Sequence, residues 1–208
     1  MQLGFEQINA RLSAPRDPMG DDVVRHMVAG YALVDTLVGD VVDLFAMGNL
    51  KYLLELNTTV LCGASPAERE GYTDHLQRTE ERFYDDRQGG VRDLVEWYER
   101  HRRGPVVARA VGVYIRMLSK PQLFIEGNHR TGALTMSYLL AREGHPPFVL
   151  TVENAPAYFE PSTVIRTIGK HGIAGLVRLP RLRSRLTSML ADHADPRYLL
   201  PPAPTVPV

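Results

Sequence analysis

The run Phe124-Ile125-Glu126-Gly127-Asn128-His129-Arg130 gathers, within one loop, the residue types that a polyphosphate needs. Gly127 and Asn128 are the residues that most readily take left-handed backbone angles, and such turns can aim successive N–H groups at one anion. The loop runs into a helix expected from Arg130 to Glu143, whose N-terminus offers unpaired amides and a partial positive charge. Arg130 carries a planar fork suited to phosphate oxygens. Glu126 supplies a hard oxygen ligand for Mg²⁺, which commonly travels with phosphates. A plainer reading of the same letters makes Gly127-Asn128 an ordinary turn, Arg130 a surface residue and Glu126 a partner of the helix dipole. On spacing alone both readings stand.

The elements that would position this loop read as helices. Asp21-Asp22 can cap a long helical stretch reaching about Leu56, with Gly39 or Gly48 as break points. Val24, Met27, Val28, Tyr31, Val34, Leu37, Val38, Val41, Val42 and Phe45 recur at steps of three and four, as one buried face requires. Asn57 to Gly63, with two threonines and a valine between turn residues, predicts a short strand. Ser65-Pro66-Ala67-Glu68 opens a helix running to about Tyr84. Further helices are expected over 91–102 and 105–119, followed by the 120–129 loop and a helix closed by Gly144 before Pro146-Pro147. Two or three short helices fill 152–194. The fold class expected is all-α with one small β element. The organisation is a loosely ordered lead-in over 1–20, a helical domain over 21–195, and an extended tail over 196–208, where five of thirteen residues are proline.

Composition narrows the function classes. The chain has 208 residues, 44% hydrophobic, enough for one domain with a core. Its formal net charge is zero, so a nucleic-acid partner has no electrostatic support from the whole chain. The single cysteine, Cys62, forms no disulfide framework or multi-cysteine metal site, and the histidines show no metal spacing. The N-terminus lacks a secretory pattern, and no run nears the roughly 20 apolar residues of a membrane span, so the sequence reads as soluble and cytoplasmic.

Phe124-x-Glu126-Gly127-Asn128-x-Arg130 resembles the signature of the Fic (filamentation-induced-by-cAMP) family, His-x-Phe-x-Asp/Glu-Gly-Asn-Gly/Lys-Arg. The resemblance extends to the flanks: Leu94-Val95-Glu96-Trp97-Tyr98, Pro105-Val106-Val107-Ala108-Arg109-Ala110, and Leu134 to Glu143 with Gly144-His145-Pro146-Pro147. It covers residues 90–150 well and 22–90 in outline. It implies a Fic-type helical bundle in which the motif joins two core helices. It also implies transfer of part of a phosphate-containing cofactor, usually AMP from ATP, to a hydroxyl of a target. On this resemblance Glu126 would hold Mg²⁺, while Gly127, Asn128 and the backbone of His129 would form the anion nest. Arg130 would grip a phosphate, and Phe124 would anchor the core. The family's β-hairpin flap, which pairs with a target strand, would fall on Thr58, Thr59, Val60 and Leu61.

Two positions depart from the family. Its general-base histidine is Gln122 here, an amide that can hydrogen-bond a hydroxyl but not take its proton. Its second arginine is Ala133, and Arg142 lies too far along the helix to replace it. Losing a general base costs about 10²–10⁴ in rate while positioning survives. His129, where the family has glycine or lysine, is a candidate base or a phosphate-contacting loop residue. Ser65 to Gly71 has the letters of the family's inhibitory helix with one residue too many, and without the second arginine no autoinhibition is expected.

The sequence therefore leans toward an enzyme, a Fic-type nucleotidyl or related phosphate-moiety transferase using ATP or another nucleotide with Mg²⁺. Its acceptor would be a protein or small-molecule hydroxyl, and a homodimer is left open. The alternative is a non-catalytic nucleotide-binding regulatory module, and a third reading is a helical adaptor. Residues 161–191 hold Arg166, Lys170, Arg178, Arg181, Arg183, Arg185 and His171 with no acid. This stretch is either a basic face for an anionic partner or a face packed against acidic helices of the same chain.

Overall fold

The computed structural model describes residues 2–16 and 19–199, and among these the chain is all-α with no sheet. Ten helices run in order: α1 (Gln2–Arg11), α2 (Asp21–Gly39), α3 (Lys51–Cys62), α4 (Pro66–Glu70), α5 (Thr73–Tyr84), α6 (Val91–His101), α7 (Val106–Leu118), α8 (Asn128–Arg142), α9 (Ala155–Ile165) and α10 (Ile173–Asp192). A single parallel bridge joins Lys120 to Gly169. None of the described helices is long and apolar enough to cross a membrane.

The core forms around the antiparallel pair α7 and α8. Tyr114 of α7 and Tyr138 of α8 are fully buried, and a Cβ on Gly132 would lie 2.7 Å from the Tyr114 ring, so glycine permits this close crossing. The expected stripe of α2 holds only in part: Val34 and Leu37 are buried together with Gly30, whereas Val28 is 57% exposed. The helix stops at Gly39, so Val41 (73% exposed), Val42 and Phe45 lie beyond it rather than on one helix reaching Leu56. At Gly30 a Cβ would meet a Leu134 methyl at 2.4 Å, which ties α2 closely to α8. Phe83 of α5 stacks on Phe124 at 5.5 Å, and both rings are almost wholly buried. Burying one such ring stabilises by about 1.5–3 kcal/mol, so the motif loop is rooted in the core by its phenylalanine.

Local capping chemistry was legible. Ser65 Oγ accepts from the Glu68 amide and Pro66 takes the first helical turn. The helix that follows breaks at Gly71-Tyr72 into α4 and α5 instead of running unbroken to Tyr84. In the expected lead-in, residues 2–11 form α1, whose Phe5 and Ile8 bury against Ala155 of α9. Leu12 and Met19 join the same cluster, but its buried partner Ala155 and the flanking Leu150, Val152 and Phe159 are distant in sequence, so local composition gave no sign of it. Residues 17–18, and the 200–208 part of the proline-rich tail, lie outside the described residues.

The strand and the target-pairing flap at Thr58, Thr59, Val60 and Leu61 are overturned, because these residues form the last turns of α3. Leu53, Leu56 and Val60 recur at helical spacing and are fully buried against the core. Strand propensity spans only about 1 kcal/mol, less than burying one of these side chains contributes. Gly63, with φ +79°, ends the helix and donates its amide to Thr59 O at 3.0 Å. The glycine read as a strand boundary is a helix stop. Thr58→Pro tests this directly: within a helix it removes a backbone hydrogen bond and should lower stability by about 3 kcal/mol or more in chemical denaturation. A loss under 1 kcal/mol would argue for extended chain there.

Candidate functional site

After α7 the chain turns through residues 119–127 before α8 begins, and side-chain-to-backbone bonds fix the path. Gln122 Nε2 donates to Leu118 O at 3.1 Å, satisfying a carbonyl at the end of α7, and Arg82 of α5 donates to the Gln122 carbonyl. Asn128 then bends back across the loop. Its Oδ1 accepts from Phe124 N at 2.9 Å and its Nδ2 donates to Phe124 O at 2.8 Å, so one buried amide brackets one residue from both sides. Gly127 sits at φ +74°, ψ 2°, the left-handed turn expected there.

Asn57 of α3 braces the outside of that turn. Its Nδ2 donates to Glu126 O and to Thr131 Oγ1, both at 3.0 Å. A Cβ on Gly127 would stand 2.8 Å from this nitrogen, so the glycine is required for clearance as well as for φ. Helix α8 then starts at Asn128 without a side-chain cap on its first amides. The polar half of the motif is thus held by α3, α5 and α7 together.

What the braces present is a cleft of about 320 Å³ lined by Glu126, Arg130, Asp22, His26, Tyr72 and His75. Glu126 is exposed, while Arg130 is partly buried and donates through Nη1 to Val60 O at 2.6 Å. Burial holds the Arg130 guanidinium below its ordinary pKa, an effect the Glu126 charge opposes. Sequence reasoning singled out neither histidine. His26 of α2 is about nine-tenths buried, and its Nε2 stays 3.9 Å from Glu68 Oε1. His75 of α5 also has a buried Nε2, and neither Nε2 has a hydrogen-bond partner among the described residues. A buried polar atom left unpaired costs about 1–3 kcal/mol, which a ligand able to bond it would recover. The position of His26 within the apolar stripe of α2 was a readable signal; His75 gave none.

Of the expected catalytic and phosphate-binding residues only Glu126 and Arg130 line this cleft; Gln122, Gly127, Asn128 and His129 do not. Gln122 does not line this cleft, and its amide is engaged at the end of α7. His129 is also absent from the cleft: its Nδ1 meets Tyr114 Oη at 3.0 Å, and that hydroxyl donates to Ser162 Oγ of α9 at 2.7 Å. Burial, then the charges of Arg16 and Arg166, push the His129 imidazole down to about 3. Burial likewise pushes the Tyr114 hydroxyl up to about 12. His129 is therefore neutral near pH 7, and a base that weak takes few protons there. The side chain of Asn128 shapes the loop and does not face the cleft. Cys62 is fully buried, with its thiol pushed up by burial, consistent with a small apolar filler.

No family model and no curated protein matches the chain. Among solved structures, a Fic-1 structure from C. elegans aligns at 17% identity with a TM-score of 0.45, over 89% of this chain. The chain spans 56% of the length of that structure's chain.

The physical content of the site is one carboxylate and one guanidinium at the start of a long uncapped helix, with Asp22 and two unpartnered imidazole nitrogens across the cleft. Hydrogen-bond donors and hard oxygen donors coexist there, an arrangement suited to an anion that arrives with a cation. Two tests address how it is held. Asn128→Ala leaves both Phe124 backbone groups unpaired and should destabilise by about 1–3 kcal/mol; a neutral outcome would show that the bracket is dispensable. For His129 the folded pKa lies below the unfolded value, so the unfolded chain binds the extra proton. Its stabilisation is present above about pH 6.5 and is lost as pH falls toward about 3. Relative to His129→Gln, wild-type unfolding free energy should fall more steeply across that window, by up to about 1.4 kcal/mol per pH unit. Parallel curves would remove the buried-imidazole account.

Proposed function

We propose that the chain binds a nucleoside polyphosphate with Mg²⁺ in the Glu126–Arg130 cleft and transfers a phosphate-linked moiety to a hydroxyl acceptor. AMP from ATP is the simplest case, in the manner of the Fic family that the motif resembles. The observation that carries this reading is the convergence of Glu126 and Arg130 on one cleft, at a left-handed turn between the two central helices. Arg130 would hold a phosphate through the guanidinium donors not engaged by Val60 O. Glu126 would contribute a metal ligand, and Asp22 lines the same cleft. Among the described residues no cluster of three or more His, Cys, Asp or Glu could hold a metal alone. That suits Mg²⁺, which is usually held by one or two carboxylates plus the phosphates it accompanies. When bound, the ion would neutralise charge on the phosphates.

The proton is the difficulty, since Gln122 cannot take it. In this reading the acceptor oxygen bonds to the α-phosphorus while the bond to pyrophosphate breaks. The hydroxyl proton passes to His26 or His75, whose Nε2 atoms are buried beside the cleft with no hydrogen-bond partner among the described residues. A second reading, a nucleotide-binding module without transfer, is favoured by one observation: the amide at the base position serves the α7 terminus instead of facing the cleft.

Calorimetry with ATP and Mg²⁺ separates these from an empty site. Arg130→Ala should weaken binding by about tenfold or more, since hydrogen bonds to charged groups contribute about 1.5–3 kcal/mol. Incubation with labelled nucleotide and candidate acceptors should then label an acceptor in a Glu126-dependent way. The double change His26→Ala with His75→Ala should cut labelling by about 10²–10⁴ while leaving nucleotide affinity within a few-fold. Binding without labelling would leave the module reading; no binding by ATP or any other nucleotide would end both.

A further inference from the structure

The basic stretch 161–191 does not pack against acidic helices of its own chain. Two residues are exceptions: Lys170 is buried, donates through Nζ to Arg116 O at 2.9 Å and lies 3.4 Å from Asp93 Oδ2, and His171 Nε2 lies 3.5 Å from Asp93 Oδ1. Arg185 stands 3.7 Å from Glu160, both largely exposed, a contact that contributes little. Arg166, Arg178, Arg181 and Arg183 form no ion pair among the described residues. Arginines with no acid of their own along half of a 20-residue helix leave an uncompensated positive face.

The same helix shows apolar residues on its solvent side. Its inner face buries Gly175, Leu179, Leu186, Met189 and Leu190. On its outer face Ile173 is 82% exposed, Leu176 71% and Val177 52%, with Pro180 also exposed. Positions 173, 176, 177 and 180 follow the spacing of one helical stripe, the pattern by which a helix packs against another element. Isolated exposed apolar residues need no explanation, whereas a contiguous stripe rimmed by charge marks an interaction site.

We propose that the outer face of α10 docks an acidic amphipathic helix from a protein partner. The stripe calls for apolar residues at the partner's three- and four-residue spacing, and Arg178, Arg181 and Arg185 call for carboxylates flanking them. A cleft of about 230 Å³ between Trp97 of α6 and Leu176, Pro180 and Arg183 of α10 adjoins the stripe. A shaped recess beside the stripe suits one anchoring side chain, which a lipid surface does not supply, and the stripe carries no aromatic anchor. The face is also held rigidly. A Cβ on Gly175 would lie 2.3 Å from Gly169 O, so α10 closes directly onto the 169–170 segment. That segment is tied to the motif loop by Lys120 N to Ile168 O and Lys170 N to Lys120 O, both 2.8 Å. A partner seated on α10 is therefore held in fixed relation to the Glu126–Arg130 loop, although the docking surface itself does not depend on nucleotide chemistry.

Selection of a displayed library of helical peptides on the full chain provides the test. The expected binders carry apolar residues at helical spacing with an excess of Asp and Glu. A synthetic copy of one should lose affinity by about tenfold or more on Leu176→Glu and again on Arg178→Glu with Arg181→Glu. These positions are exposed, so the variants should melt like wild type. The proposal is overturned if no peptide is selected, if the selected peptides lack acidic excess, or if both variants bind them unchanged. Binding to phosphatidylserine vesicles that the variants abolish would assign the face to a membrane instead. Self-association in sedimentation that Leu176→Glu abolishes would assign it to a second copy of this chain. Either result overturns the acidic-helix partner.

Discussion

Everything polar in the candidate site hangs on the Asn128 side chain bonding the amide and the carbonyl of Phe124 together. Phe124 is pinned in the core against Phe83, so its backbone cannot drift. Asn128 is the first residue of α8, so the same two bonds fix where that helix begins. The four-residue span between them has no freedom to open, and Glu126 is turned outward by geometry rather than by any partner of its own carboxylate. A glycine at 127 is the only residue that can close such a short span at positive φ while clearing Asn57. The motif letters are thus first a folding device, and their chemistry follows from where that device leaves Glu126 and Arg130.

The second constraint comes from α3. Asn57 holds the outside of the turn, Val60 O holds one arm of Arg130, and Leu61 packs against Gly127. These residues fall in the segment that the sequence read as a short strand and flap, and the structure makes them one helical wall of the site. A wall cannot add a strand to a target as the family's flap does. If this chain recognises a protein acceptor, recognition must use another surface, and the outer face of α10 has both the charge and the apolar exposure to supply one.

Legibility in the sequence followed the range of the interaction. The Ser65-Pro66 cap, the Gly144 stop after α8, the start of α2 at Asp21-Asp22 and the loop at 120–129 all arise from neighbours within a few residues, and each was readable. The second half of α3, residues 57–62, was not, because the burial of Val60 with Leu53 and Leu56 that decides it depends on α2 and α8, distant in sequence. Nor was α1, whose Phe5 and Ile8 are worth little until Ala155 arrives. In the candidate site the pattern was the same: Gly127 and the loop were visible from residue type, whereas the directions of Gln122 and His129 were not. A side chain on the first turn of a helix changes direction by about 100° per residue. Arg130 therefore faces α3 while His129, one position earlier, faces α9.

That divergence bears on how firmly the start of α8 is held. With His129 bonded to Tyr114 and Arg130 bonded to Val60 O, the first turn of α8 is gripped on two sides before any ligand arrives. Preorganised donors cost no reorganisation when charge develops, and this term commonly exceeds that of a base. Beside the exposed carboxylate and the partly buried guanidinium, the Nε2 atoms of His26 and His75 are buried without a hydrogen-bond partner among the described residues. Each is a cost to the folded state that apolar substitution would relieve. Gln122 offers no proton acceptor on its side of the loop, and the imidazoles that line the cleft, His26 and His75, come from α2 and α5.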